Sequence, residues 1–221
     1  MTVEPGRPSP AGAADAGTGG FVGPRAKLVT AGLELLLERG DSSYTVEELV
    51  RRAHVALKTF YRSFPAKEDL LNEVFMTAVS GTVPRIRERI LAEGVDELDR
   101  LRLAVTWPLE WRRRSDHASR VIAHEHLRIA LSSPRTIAEA GRGYEDLLRE
   151  FTTAAAATGR IRPVDIDWDV HIINRMITMG FHGLVLQDDE PGHGTLAEHV
   201  WRFCLAALGG GPPAAAEDAG H

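Results

Sequence analysis

The chain has 221 residues, of which 43% are hydrophobic and 26% charged, with a formal net charge of −5. This length can bury a proper core, and the balance is ordinary for a soluble globular protein, which sets aside a disordered chain. The lone Cys204 allows no internal disulfide and points to a reducing, cytoplasmic setting.

No run of about 18 apolar residues suggests a membrane span, and the N-terminus lacks the basic-then-apolar layout of a secretory signal. Residues 1–20 are dominated by Gly, Ala and Pro and read as a tail without a core. A helix is expected from Pro24, which fits a first helical turn. Val29, Leu33, Leu36, Leu37 and Gly40 give it one stripe, and Gly40 is the expected C-cap. Thr45 opens a second helix through a capping box with Glu48, and Val46, Leu49, Val50 and Ala53 form its buried side. The turn Ala53-His54-Val55 leads to a short helix over 56–63. Val55, Phe60 and Phe64 are its core contacts; Leu57, Lys58, Tyr61 and Arg62 remain outside. Pro65 ends it. A fourth helix starts near Ala66 and buries Leu70, Leu71, Val74, Phe75 and Ala78, with Gly81 and Pro84 able to kink or divide it.

Beyond residue 96 the pattern stays helical, with segments near 96–113, 116–131, 135–158, 165–187 and 195–208. Breaks are expected at Pro108, Ser132-Ser133-Pro134, Gly159 with Pro163, and Gly192 with Gly194. The fold class is therefore all-α. An N-terminal helix-turn-helix bundle, 21–75, is joined to a larger helical body, 76–208, between tails at 1–20 and 209–221. Two short helices around a tight turn are the layout of a DNA reader, whose second helix enters the major groove. The net charge is no objection, because a DNA footprint is local. From Phe21 to Lys67 eight basic residues face five acidic ones, a local balance of +3.

The stretch from Thr45 to Leu71 resembles the DNA-binding signature of the TetR (tetracycline-repressor) family of transcriptional regulators. The capping Thr45, the small-residue turn 53–56, Thr59-Phe60-Tyr61 and the junction Phe64-Pro65-Ala66-Lys67-Glu68 carry the resemblance. Three positions depart from it. His54 stands where the family has a turn glycine, Ala56 where it has a capping Ser, and Ala66 where it has a small polar residue. Losing a cap costs roughly 1 kcal/mol.

The DNA-binding candidates are Thr45, Leu57, Lys58, Thr59, Tyr61, Arg62 and Lys67. Thr45 offers a hydroxyl and free N–H groups to a phosphate, or serves only as a cap. Tyr61 sits where the family meets the DNA backbone. Lys67 lies at a helix start, against the dipole, a conflict that a phosphate would relieve. Lys58 can reach guanine and Leu57 a thymine methyl. Thr59 can touch phosphate or bond its own backbone, and Arg62 is a further cation.

In the body, Trp107, Trp111, His124, Tyr144, Asn174, Met176, Met179 and His182 are candidate ligand-binding residues, with His126 beside them. The family commonly encloses a small apolar effector there, though each of these is equally readable as a core residue. His117, His124, Glu125 and His126 lack the i, i+4 spacing of a helical metal pair, so no metal or other cofactor is expected. No catalytic motif is present, so an enzyme is not expected. Two apolar stripes on the last helices suggest burial on two sides. The family pairs these helices between two subunits, which implies a homodimer on a palindromic operator. The reading is a repressor of double-stranded DNA, released by a small-molecule effector. The alternative is a helical small-molecule-binding or enzymatic protein with a vestigial helix-turn-helix, supported by the missing caps.

Overall fold

A computed structural model describes residues 23–110, 117–186 and 193–210, with side chains described for 23–110, 120–185 and 196–210. The regular elements among them are all helical: α1 Pro24–Arg39, α2 Val46–Arg52, α3 Leu57–Ser63, α4 Lys67–Ser80, α5 Val83–Ala92, α6 Glu97–Glu110, α7 His117–Ser132, α8 Pro134–Ala157, α9 Ile166–Leu186 and α10 His193–Ala207. None is long and apolar enough to cross a membrane. The tails at 1–20 and 211–221, the candidate Trp111 and the Gly192 break lie outside the described residues.

The first four helices form around sequence-local signals. Pro24 occupies the first turn of α1, and Gly40 closes it at φ 81°, its N–H donating to Leu36. The buried face of α1 is Leu28, Val29, Ala31, Gly32, Leu35 and Leu36; Val29 and Leu36 were expected there, while Leu33 and Leu37, also expected in the stripe, lie at its edge. Gly32 on this face stands close against α4. A Cβ there would stand 2.9 Å from a methyl of Val74 and 3.3 Å from Leu70, so only glycine fits without a shift. Phe60 and Phe64 of the α3 region are fully buried in the same core, with Leu49 and Leu70. Fully burying each such side chain is worth about 1.5–3 kcal/mol, enough to hold a helix of seven residues that would not persist alone.

Gly81 and Thr82 divide α4 from α5, with Pro84 in the first turn of the second helix. Pro108 does not break α6, which runs on to Glu110. Proline removes the N–H that would serve the carbonyl four residues back. That carbonyl belongs to Ala104, and the Tyr144 hydroxyl of α8 donates to it instead. The helix therefore continues at little cost.

A second core joins α5, α6, α8, α9 and α10 through Leu101, Val105, Leu148, Phe151, Ile177, Leu184 and Trp201. Cys204 is buried in it, its thiol pushed up to about 11 by burial, and serves as packing. A smaller third cluster of Phe75, Ile129 and Ala140 lies between the two. Helix α4 thus gives Leu70, Leu71 and Val74 to the first core and Phe75 to the third.

Candidate functional site

The N-terminal helices hold α3 outward. Thr45 and Glu48 form the expected reciprocal cap: the Glu48 N–H donates to Thr45 Oγ1 at 3.2 Å and the Thr45 N–H to Glu48 at 2.8 Å. Arg39 bonds the same carboxylate, and these partners, Arg39 first, hold it down at about 2. Arg52 grips Glu38 with two bonds of 2.6 and 2.7 Å, tying α2 to α1. His54 sits in the left-handed region at φ 53°, so the turn keeps the backbone a glycine would give it. Ala56 supplies no side-chain cap to α3. At the other end of α3, Arg25 donates to the Ser63 carbonyl at 2.6 Å, pairs with Glu73 and lies 4.3 Å from the Phe64 ring centre. Nothing in the sequence marked Arg25 for this bracing.

Leu57, Lys58, Tyr61 and Arg62 are all exposed, and Thr59 is half-buried. Leu57 is 41% and Tyr61 58% exposed, although the rings of Tyr61 and the buried Phe60 meet edge-on at 5.2 Å. Among the described residues no protein group pairs with Lys58 or Arg62. The short helix thus shows an aromatic hydroxyl, two cations and an apolar side chain on one unpartnered face. Base edges and phosphates are read with this chemistry.

Lys67 is placed differently from the expectation. Its ammonium donates to the Ser42 carbonyl and lies 4.6 Å from the centre of the Tyr44 ring. Burial, the largest influence on it, lowers its pKa. Its conflict with the helix dipole is relieved by protein groups, and Lys67 holds the 42–44 loop that leads into Thr45. The missing cap at Ala66 is made good in part, since its N–H donates to Asp69 at 3.0 Å.

In the body, α4 to α9 surround a cavity of about 320 Å³. Of the candidates, Trp107, Tyr144, Asn174 and His182 line it. His124 does not; it is exposed, and His126, two residues on, faces the cavity instead. Met179 is 66% exposed, and Met176 packs against the body core beside the cavity. For His124 the helical period explains the miss: residues two apart on one helix face different sides. Phe75, Val83, Ile86, Ile137 and Phe181 complete the apolar wall. They were legible only as core residues.

The polar lining is largely committed to protein partners. The Tyr144 hydroxyl serves Ala104, Thr178 donates to the Asn174 carbonyl at 2.9 Å, and the Asn174 amide donates to Glu145 at 3.2 Å. The rings of His126 and His182 meet at a tilt of 58° with centres 4.6 Å apart, and the Nδ1 atom of each is buried without a partner. Burial pulls His126 down to about 4, helped by His182 and Arg175, and burial also lowers His182. Both rings are neutral near neutral pH.

Helix α7 touches both sites. Its Val121 is buried in the core of α1–α4, while Ile122 and His126 line the cavity. Between them Glu125, 5% exposed, pairs with Arg128 at 2.7 Å. The Tyr44 hydroxyl is driven up mainly by burial and then by the charge of Glu125. The four residues considered as a metal group therefore part company: His124 is exposed, Glu125 paired and His126 in the cavity, while the His117 side chain is outside those described.

One pH effect follows from the buried imidazoles. Below its ordinary value of 6.5, His126 takes up a proton in the unfolded chain but not in the folded one until pH falls to about 4. Stability present above 6.5 is thus lost progressively across that window. His126→Phe should flatten the fall in urea-unfolding midpoint between these limits; an unchanged slope would mean that the ring titrates freely in the fold.

Residues 28–74 match the profile described as bacterial regulatory proteins, tetR family. No curated protein sequence matches the chain. Several solved structures share the fold. The transcriptional regulator FadR from Bacillus subtilis, in complex with stearoyl-CoA, is 22% identical with a TM-score of 0.63, over 82% of this chain and 98% of that one. Thermus thermophilus FadR, a TetR-family transcriptional repressor in complex with lauroyl-CoA, is 19% identical with a TM-score of 0.65, over 86% and 98%. RolR in complex with resorcinol is 20% identical with a TM-score of 0.61, over 81% and 86%. Residues 28–74 thus carry the N-terminal signature of the tetR family of bacterial regulatory proteins, and the chain shares the all-helical fold of these regulators.

Proposed function

We propose that this protein is a dimeric transcriptional repressor that reads a palindromic operator through α3 and is released from it by a small molecule bound in the body cavity. The observation that carries the reading is the exposed, unpartnered face of Leu57, Lys58, Tyr61 and Arg62 on a helix whose last carbonyl is held by Arg25. Thr45 joins this set at the N-terminus of α2, where free N–H groups suit a phosphate, and Thr59 lies beside it. Lys58 and Leu57 read bases, Tyr61 and Arg62 fix the register on phosphates, and Lys67 positions the loop before Thr45. Such work places the protein in the cytoplasm, with the DNA.

The effector reading rests on the cavity and on likeness: structural relatives have been solved with stearoyl-CoA, lauroyl-CoA and resorcinol. Helix α7 is the means of coupling. An effector that packs better against Ile122 and His126 in one position of α7 moves Val121 and Glu125 with it, and so the seating of α1–α4. The effector then binds the off-DNA state more tightly by an amount equal to its power to release DNA.

The dimer reading rests on an uncovered stripe. Trp168, Ile172 and Met179 recur along one side of α9 and are 52–66% exposed, and Phe203 of α10 is 62% exposed. Helices with one apolar side in a core and another in water are suited to a partner's equivalent helices.

Two measurements test these readings. In fluorescence anisotropy with duplex DNA from upstream of the protein's own gene, Lys58→Ala should weaken binding about tenfold or more and relax sequence preference. Tyr61→Phe should weaken all sequences alike. If both variants keep full affinity, α3 is not the reader. In sedimentation velocity the protein should run as a dimer and Met179→Asp as a monomer; a monomeric parent protein would refute the α9–α10 interface.

A further inference from the structure

Resting on the reading of the cavity as the effector site, we propose that its ligand is an uncharged, largely apolar alcohol or phenol whose single hydroxyl is held between His126 and His182. The apolar wall asks for an apolar body. The polar groups decide the rest. Tyr144, Thr178 and the Asn174 amide are spent on protein partners, whereas the Nδ1 atoms of both His126 and His182 are buried without one. His182 is only 6% exposed, and a polar side chain so buried is costly unless something satisfies it.

Each neutral imidazole carries one donor and one acceptor nitrogen. A hydroxyl both donates and accepts, so one such group can bridge two neutral rings whose centres are 4.6 Å apart. A carboxylate can only accept. It would also be buried without a counter-charge, because both rings are neutral and Glu145 in the same wall is an acid. The cation in the lining, Arg175, is exposed and so lies towards solvent. An anionic head group would have to stay with it, away from the pair.

The test uses two matched pairs, 2-naphthol against 2-naphthoate and 1-decanol against decanoate, with lauroyl-CoA as a charged long-chain probe. Binding is measured by calorimetry near about pH 7.5, where the acids are ionised. The proposal expects the hydroxyl member of at least one pair to bind tenfold or more tightly than its acid. The gap should collapse in His182→Phe and in His126→Phe, each checked for folding by its melting curve. His182→Gln, which keeps a donor and an acceptor, should retain part of it. Acids binding as tightly as their partners, a gap that survives both phenylalanine variants, or no binding by either pair would each overturn it. DNA release, followed in the same samples, separates the two claims. A hydroxyl ligand that binds without releasing DNA upholds the pocket chemistry and refutes the switch; release by a naphthoate, decanoate or lauroyl-CoA does the reverse.

Discussion

Val121 is a residue of α7 whose side chain is buried in a core otherwise built by the first four helices. Packed interiors do not deform smoothly, so a side chain in such a position ties the seat of α3 to wherever α7 stands. The neighbouring residue Ile122 and His126, one turn away, form part of the cavity wall. Helix α4 makes the same double commitment, with Val74 in one core and Phe75 beside the other. The presentation of α3 is therefore not a local matter. It depends on two helices that also enclose the cavity.

Helix α3 itself is short of local support. Ala56 gives no cap, and His54 holds a backbone conformation that costs a non-glycine residue roughly 1 kcal/mol. Contacts from distant parts of the chain offset this. Arg25 reaches from α1 to the last carbonyl of α3 and to Glu73 on α4, and Lys67 reaches back to the loop before α2. The Arg25–Glu73 pair is partly exposed, so screening leaves it a modest contribution. Its value is directional: it sets where the C-terminal end of α3 lies.

The helix starts and stops were legible because they are signalled by a few adjacent residues, as Pro24, Gly40 and Thr45 with Glu48 show. The exposed face of α3 was legible for the same reason: in a helix of two turns, once Phe60 is buried its neighbours must face out. Pro108 misled because the remedy for its missing bond, the Tyr144 hydroxyl, comes from a residue far along the chain. The same blindness hid the contact of Lys67 with the Ser42 carbonyl and left Arg25 unmarked. In the cavity, the residue types were readable but not their facing. His124 and His126 differ only in which side of α7 they occupy, and that depends on tertiary packing.

The central claim is that the first four helices read a specific DNA sequence in two symmetric copies. It is tested most directly by selecting binders for the intact protein from a random duplex library and sequencing the enriched pool. The account predicts enrichment of an inverted repeat with half-sites roughly one DNA turn apart. A pool that stays random, or that enriches a single unrepeated site, would contradict it.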